Sequence, residues 1–228
     1  MIGDLYIVAT PIGNLGDFTI RAVETLKFVD LILCEDTRKT SVLLRHYEID
    51  RPTLSYHQQS TDDKKAHILS KLMEGKNIAL VTDAGTPGVA DPGNELIAYL
   101  LYHLPDLKII PIPGASSLTA ALSISGMNVS KFTFIGFLPK KGKDKMFLKL
   151  LEQKIPIVFY ESPNRIIKTL DWLIKLVGQD KQIFIGQELT KMYERILRGN
   201  LLEVKEKLMI EQNSQAGRVR GELVVIIS

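Results

Sequence analysis

Residues 80–93 read LVTDAGTPGVADPG, and this stretch decides the fold. The run before it, residues 77–82, is short and apolar, as expected of a strand buried in a parallel sheet. Asp83 is therefore left at the carboxyl end of that strand. Gly85 and Gly88 let the main chain turn and let a ligand come close to it, while Pro87 stiffens the turn between them. Asp91 followed by Pro92 reads as a helix N-cap with proline at the first helical position. Leu96, Ile97, Leu100, Leu101 and Leu104 then recur at helical spacing, which commits one face of that helix to the core. Strand, glycine loop and helix N-terminus form a rim of backbone N–H groups beside a carboxylate, at the end of the strands where open α/β sheets bind ligands. Read more plainly, the same residues are a βα turn with ordinary caps.

Outward from this stretch, strand and helix alternate. Strands are expected over residues 5–9, 31–34, 53–56, 78–82 and 108–112, with helices near 19–28, 38–46, 62–74, 92–104 and 116–125. That pattern predicts a mostly parallel sheet with crossover helices. Beyond Gly126 the character changes. Strands are expected over 132–137, 157–160, 182–188 and 223–227, with a further one near 193–197, joined by helices near 143–153, 163–177 and 201–210. The chain thus reads as two α/β domains, 1–113 and 114–228, with the boundary between 113 and 130 and a cleft between the halves.

Four other strand ends carry polar residues. Residues 9–17 form a second glycine loop that includes Pro11, Ile12 and Asp17; it lacks the Gly-x-Gly-x-x-Gly dinucleotide fingerprint, and Asp17 is equally suited to capping the next helix. Glu35, Asp36 and Arg38 end the second strand, where an Asp–Arg pair can hold a polar group or simply brace a helix start. Ser116 and Ser117 precede a helix and suit a polar or anionic ligand as well as a cap. In the second half, Tyr160 and Glu161 lead into Ser162-Pro163, read as a cap with proline in the first turn. Residues 139–154 hold six lysines against Asp144 and Glu152, a local balance of 6 − 2 = +4. Lys140, Lys141, Lys143 and Lys145 suit either a phosphate backbone or a solvated helix face.

Composition narrows the class. The chain has 228 residues, 45% apolar and 24% charged, with a net charge of +3, an ordinary globular balance. No uninterrupted apolar stretch is long enough to span a membrane and the first residues lack a basic leader, so a soluble, cytosolic protein is expected. One cysteine, Cys34, sits in an apolar run, which excludes a disulfide framework, and the four histidines show no metal-ligand spacing, so no metal is expected.

Taken together, VATPIGNLGD (8–17), LCEDTR (33–38), VTDAGTPGVADPG (81–93), PIPGASS (111–117), FIGFLPKK (134–141) and FYESPNR (159–165) make the chain similar to the ribosomal RNA small subunit methyltransferase I family, the 16S rRNA cytidine 2′-O-methyltransferase branch of the tetrapyrrole-methylase-like enzymes. The resemblance covers nearly the whole chain. It implies a two-domain α/β fold, a homodimer, S-adenosylmethionine as methyl donor, and as substrate a cytidine ribose hydroxyl in the decoding region of the small ribosomal subunit. It places cofactor contacts at Pro11, Ile12, Asp83, Ala84, Gly85, Val89, Ser116 and Ser117, and from the second half at Tyr160, Glu161, Glu188, Leu189 and Glu222. Family members often continue past the final strand with a basic helical tail, whereas this sequence stops at Ser228.

Methyl transfer from a sulfonium is an in-line displacement that positioning can drive. A ribose hydroxyl is a poor nucleophile, so a general base is expected: Glu35 or Asp36, then Glu161, with Lys140 or Arg38 stabilising the developing alkoxide. RNA contacts are expected at Lys140, Lys141, Lys143, Lys145 and Arg165. Two other readings are a methyltransferase of a small molecule such as a tetrapyrrole precursor, and a non-enzymatic nucleotide- or RNA-binding module.

Overall fold

Alternating apolar runs and amphipathic helices build the first half of the computed structural model, which describes residues 1–91, 93–213 and 221–228. The chain divides into two units, Met1–Ser116 and Ser117–Ser228. In the first, β1 (Leu5–Val8), α1 (Ile20–Phe28), β2 (Leu31–Cys34), α2 (Thr37–His46), β3 (Thr53–Ser55), α3 (Asp62–Met73), β4 (Ile78–Leu80), α4 (Gly93–His103) and β5 (Ile109–Ile112) follow one another. The strands lie in the order β3-β2-β4-β1-β5 and every pair is parallel. Successive strand residues point to opposite faces, so Val8, Ile32 and Ala79 join one apolar cluster while Leu5, Leu33, Ile78 and Leu80 join another. Residues of α1 and α2 complete the first cluster and residues of α3 and α4 the second. A sheet covered on both faces is what continuous rather than alternating apolar runs imply.

Two of the expected helix starts need correction, and a third falls where the described residues are interrupted. Asp17 does not cap α1: it lies in a 3-10 turn, Leu15–Asp17, and Thr19 is the cap, its side chain accepting from the Ala22 amide at 3.1 Å. Helix α4 begins at Gly93; Pro92, expected at its first position, lies outside the described residues, and the side chain of Asp91 meets Thr82. In the second unit the helix expected from Pro163 begins at Ile166, and it is the carbonyl of Ser162, not its side chain, that accepts from Arg165 and Ile166.

That second unit holds α5 (Ser117–Ile124), β6 (Thr133–Phe137), α6 (Lys143–Leu151), β7 (Ile157–Glu161), α7 (Ile166–Val177), β8 (Gln182–Gln187), β9 (Arg195–Asn200), α8 (Leu201–Asn213) and β10 (Leu223–Ile227). Its sheet is mixed, in the order β6-β7-β10-β8-β9: β6 and β7 are parallel, β10 runs antiparallel to both β7 and β8, and β8 and β9 are antiparallel. Strand β9 starts later than expected because a turn after Gln187, with Glu188 and Thr190 at positive φ, uses up residues through Glu194 before the ladder begins at Gln187↔Arg195. Among the described residues no helix is long and apolar enough to cross a membrane.

All five residues of β10 are buried, and they hydrogen-bond to a strand on either side. Truncating Leu223, fully buried in the core of this unit, to alanine is expected to cost about 2–5 kcal/mol. Leu148→Ala on α6, at a side chain 48% exposed, should stay within about 0.5 kcal/mol. Urea unfolding of the two variants compares them directly, and equal midpoints would contradict the central place given to β10.

Candidate functional site

The carboxyl ends of β2 and β4 interlock. The parallel register pairs Leu33 with Leu80, so continuing two and three residues further sets Glu35 beside Thr82 and Asp36 beside Asp83. The Asp36 amide donates to Asp83 Oδ1 at 3.3 Å, while the Glu35 carboxyl accepts from the Asp83 amide and faces the Thr82 hydroxyl at 3.5 Å. Lys39, one turn into α2, closes the arrangement with Nζ 2.6 Å from Asp83 Oδ2.

The loops after β1 and β5 are tied to the same edge. Thr10 and Gly85 form a two-residue bridge, with Thr10 N to Gly85 O at 2.8 Å and Gly85 N to Thr10 O at 3.1 Å. The Thr10 hydroxyl donates to the Thr82 carbonyl at 3.1 Å, and the Thr86 hydroxyl to the Ala115 carbonyl at 3.2 Å. Gly85 has φ +89°, and a Cβ there would stand 3.3 Å from Ile12 and 3.7 Å from the Ala115 carbonyl. The positive φ, more than the space, is what reserves this point for glycine. Thr10, Pro11, Gly13, Lys39, Thr82 and Asp83 border a cavity of about 140 Å³.

Besides Asp83, three more carboxyl groups share this edge, and their environments differ. Burial pushes Glu35 above the usual carboxylate range, and the nearby charges of Asp91 and Asp83 push it further. Burial does the same to Asp91, with Asp83 adding to it and the Thr82 hydroxyl opposing. Asp36 goes the other way. It caps α2, accepting from the Arg38 amide at 2.9 Å, and takes Arg38 Nε at 3.0 Å and Nη2 at 2.8 Å; those hydrogen bonds hold it down at about 2. Its carboxylate is committed to starting a helix.

The residues expected from the first half fall on this edge. Pro11 and Ile12 are buried, Asp83 is half-buried, and Ala84 and Val89 are exposed on the loop. Ser116 ends the first unit. Lys39, Thr10 and Thr82 went unnoticed in the sequence, as did the position of Asp91 against Thr82. For Lys39 a signal existed, since it lies one helical turn beyond Asp36 on the segment that leaves the rim.

The second unit collects its own expected residues at one end of its sheet, the carboxyl ends of β7 and β8 and the start of β10. Ser117 donates to the Tyr160 hydroxyl at 3.1 Å, and the Tyr160 ring lies 5.0 Å from Phe134 and 5.4 Å from Phe137, centroid to centroid. Glu161 is fully buried. It accepts from the Ser162 amide and the Thr169 hydroxyl, both at 2.7 Å, and pairs with Arg165 Nε at 3.2 Å. Glu188 accepts from Lys191 at 2.7 Å and lies against Gly221, where a Cβ would stand 1.5 Å from its Oε1. Leu189 packs on Gly186, and Glu222 is exposed.

The expected RNA-contacting cluster is divided. Lys140, Lys141 and Lys145 are exposed, whereas Lys143 sits with Nζ 4.2 Å over the Trp172 ring and Arg165 braces Glu161 and the Leu138 carbonyl, the latter at 2.7 Å. Both of those cations hold the unit together.

Comparison with known proteins agrees with this architecture. Residues 4–205 match the family of tetrapyrrole (corrin/porphyrin) methylases. A protein of Synechocystis sp. is 48% identical over 202 residues, 88% of this chain and 72% of that one. One of Thermotoga maritima is 41% identical over 228 residues, covering 100% of this chain and 99% of the relative. Both bear the name ribosomal RNA small subunit methyltransferase I. Among solved structures, the cobalt precorrin-4 methyltransferase CbiF aligns at TM-score 0.71 and 17% identity over 99% of this chain and 94% of its own. A Thermus thermophilus uroporphyrin-III C-methyltransferase, crystallised with S-adenosylhomocysteine, aligns at 0.65 and 19% over 98% and 97%. At such identities the structures speak for the fold, and the sequence relatives speak for the family. The chain belongs to the ribosomal RNA small subunit methyltransferase I family of tetrapyrrole methylases.

Proposed function

We propose that this protein transfers a methyl group from S-adenosylmethionine to the ribose 2′-hydroxyl of a cytidine in the decoding region of 16S rRNA, acting as a homodimer on the small ribosomal subunit in the cytoplasm. The observation that carries the chemistry is the edge at β2 and β4, where a carboxyl group with a raised pKa and a second carboxylate stand beside a glycine turn at positive φ.

The donor set fits the cofactor. Asp83 and Asp91 supply negative charge suited to a sulfonium, and Pro11, Ile12, Ala84, Gly85, Val89 and Ser116 supply main-chain groups and small surfaces where the cofactor can lie close. Ser117, Tyr160, Glu188, Leu189 and Glu222 are proposed as the second unit's contribution. When bound, S-adenosylmethionine supplies an electrophilic methyl group. What remains for the protein is to align the acceptor oxygen and to take its proton.

Glu35 is the base in this reading. Its raised affinity for a proton makes it a stronger base than Asp36, whose carboxylate is held by Arg38 and the α2 amide. Glu161 has no exposure to a substrate and acts as an internal brace. Arg38 and Lys140, both exposed, are proposed to offset negative charge on RNA or on the developing alkoxide.

Glu35→Gln is expected to lower kcat by about 10²–10⁴-fold, whereas Asp36→Asn, which keeps a capping side chain, should stay within several-fold of wild type. The same variant tests the pKa argument. A carboxyl group raised on folding binds its proton more tightly in the native state, so wild-type stability falls as pH rises from the ordinary carboxylate value to the raised one. Glu35→Gln should therefore melt higher than wild type at neutral pH, with the gain fading as pH falls into the ordinary carboxylate range. An unchanged kcat would remove Glu35 from the mechanism.

The acceptor is tested by primer-extension mapping of 2′-O-methylation on small-subunit RNA, with corrinoid precursors offered in parallel. A single new stop at a decoding-region cytidine is expected. Methyl transfer to the corrinoid alone would replace the proposed substrate with a small molecule, and binding of RNA without any methyl transfer would replace the enzyme with a binding module.

A further inference from the structure

The second unit carries a larger cavity at the opposite end of its sheet from Tyr160 and Glu161. About 700 Å³ in volume, it is bordered by Asn128, Ser130, Lys131, Lys154, Gln182 and Arg198, where β6, β7 and β8 begin and β9 and β10 end. The six residues of β8, at about 3.3 Å each, put it roughly 20 Å from the rim proposed to meet the cofactor. No reading of the catalytic site uses it.

Its charge is one-sided. Among the described residues, three cations line it and no acidic side chain does. One carboxylate, Glu203, lies beside Gly199 at its margin and accepts from the Asn200 amide at 3.2 Å, so three cations stand against one nearby acid. Arg198 is fixed in place: its guanidinium donates to the carbonyls of Ile124 and Ser125 at the end of α5 and lies 5.3 Å over the Phe184 ring. Those partners are neutral, so they orient the charge without cancelling it. Lys154 stands at φ +53°, where it closes the turn after α6 with its amide on the Leu151 carbonyl. Glycine adopts that conformation at less cost. A lysine there keeps an ammonium at the cavity against a local preference of the backbone.

We infer that this cavity docks single-stranded RNA, with Lys131, Lys154 and Arg198 meeting phosphates of a segment that flanks the target nucleotide and Asn128 and Gln182 offering amides to its bases or sugars. The volume suits a nucleotide-sized occupant, and an excess of cations with neighbouring amides suits a phosphate-bearing strand. The inference rests on the rRNA substrate proposed above, and it adds a contact surface separate from the lysines of α6.

The test is a Lys131→Gln/Lys154→Gln variant of the full chain, titrated with 16S rRNA over a range of salt concentrations. Affinity is expected to fall by about 5- to 30-fold at low salt, and the slope of log K against log salt to become shallower by about 1.4, two single-strand phosphate contacts' worth. KM for RNA should rise in step while cofactor affinity stays at the wild-type value. Lys154→Gly separates charge from fold: relieving the backbone should raise the melting temperature even as RNA binding weakens. An unchanged affinity and slope, or a change in oligomeric state with RNA binding intact, would overturn the inference. Weaker RNA binding by the variant, in a protein whose wild type methylates no RNA, would uphold the cavity and overturn the proposed activity instead.

Discussion

The reciprocal grip between β2 and β4 is the constraint from which the rest of the first unit's rim follows. Parallel strands end with backbone N–H groups that have no further ladder partner, and a buried donor must find an acceptor. Here the acceptors are the acids themselves: Asp83 accepts from the Asp36 amide and Glu35 from the Asp83 amide, so each strand end satisfies the other. Two carboxyl groups are thereby drawn close together, and Asp91 makes a third. Lys39 pairs with Asp83, while Glu35 has no such cation: burial first, and then the charges of Asp91 and Asp83, make it resist ionisation. The feature that satisfies the backbone is the same one that makes a proton acceptor.

The acids of the second unit work differently. Glu161 is more deeply buried than Glu35 but is surrounded by an amide, a hydroxyl and a guanidinium, which replace water. Buried charge of this kind is tolerated when it is paired and hydrogen-bonded. Its removal would strand Arg165, which also holds the Leu138 carbonyl, so Glu161 and Arg165 form a brace between the ends of β6 and β7. Proximity to Tyr160 in the chain made Glu161 look reactive; its surroundings give it structural work.

Much of the architecture was legible because it depends on local pattern. Apolar runs marked most of the strands, and β2 and β10 match their expected limits, whereas β9, RILRGN, carries no such run. What escaped was set by contacts distant in sequence. Asp36 and Arg38 read equally as a ligand-binding pair or a helix start, and only the close bidentate geometry distinguishes them. Lys39 could not be paired with Asp83, 44 residues away, without the strand order. Lys143 and Arg165 were grouped with exposed lysines on charge alone, and their burial against Trp172 and Glu161 is a tertiary fact. The Lys131, Lys154 and Arg198 cavity draws on five separate segments of the chain, so no window of sequence contains it.

Strand β10 follows every other strand in the chain yet sits at the middle of its sheet, with β7 and β8 on either side. During synthesis, β7 and β8 must wait for it with open edges, whereas the all-parallel sheet of the first unit has every strand in hand by Ile112. Unpaired edges are templates for wrong partners. The second half of a nascent molecule is therefore exposed to misassembly for the time the ribosome takes to translate some 35 residues beyond β8, an interval that slower codons there would lengthen and a chaperone could cover.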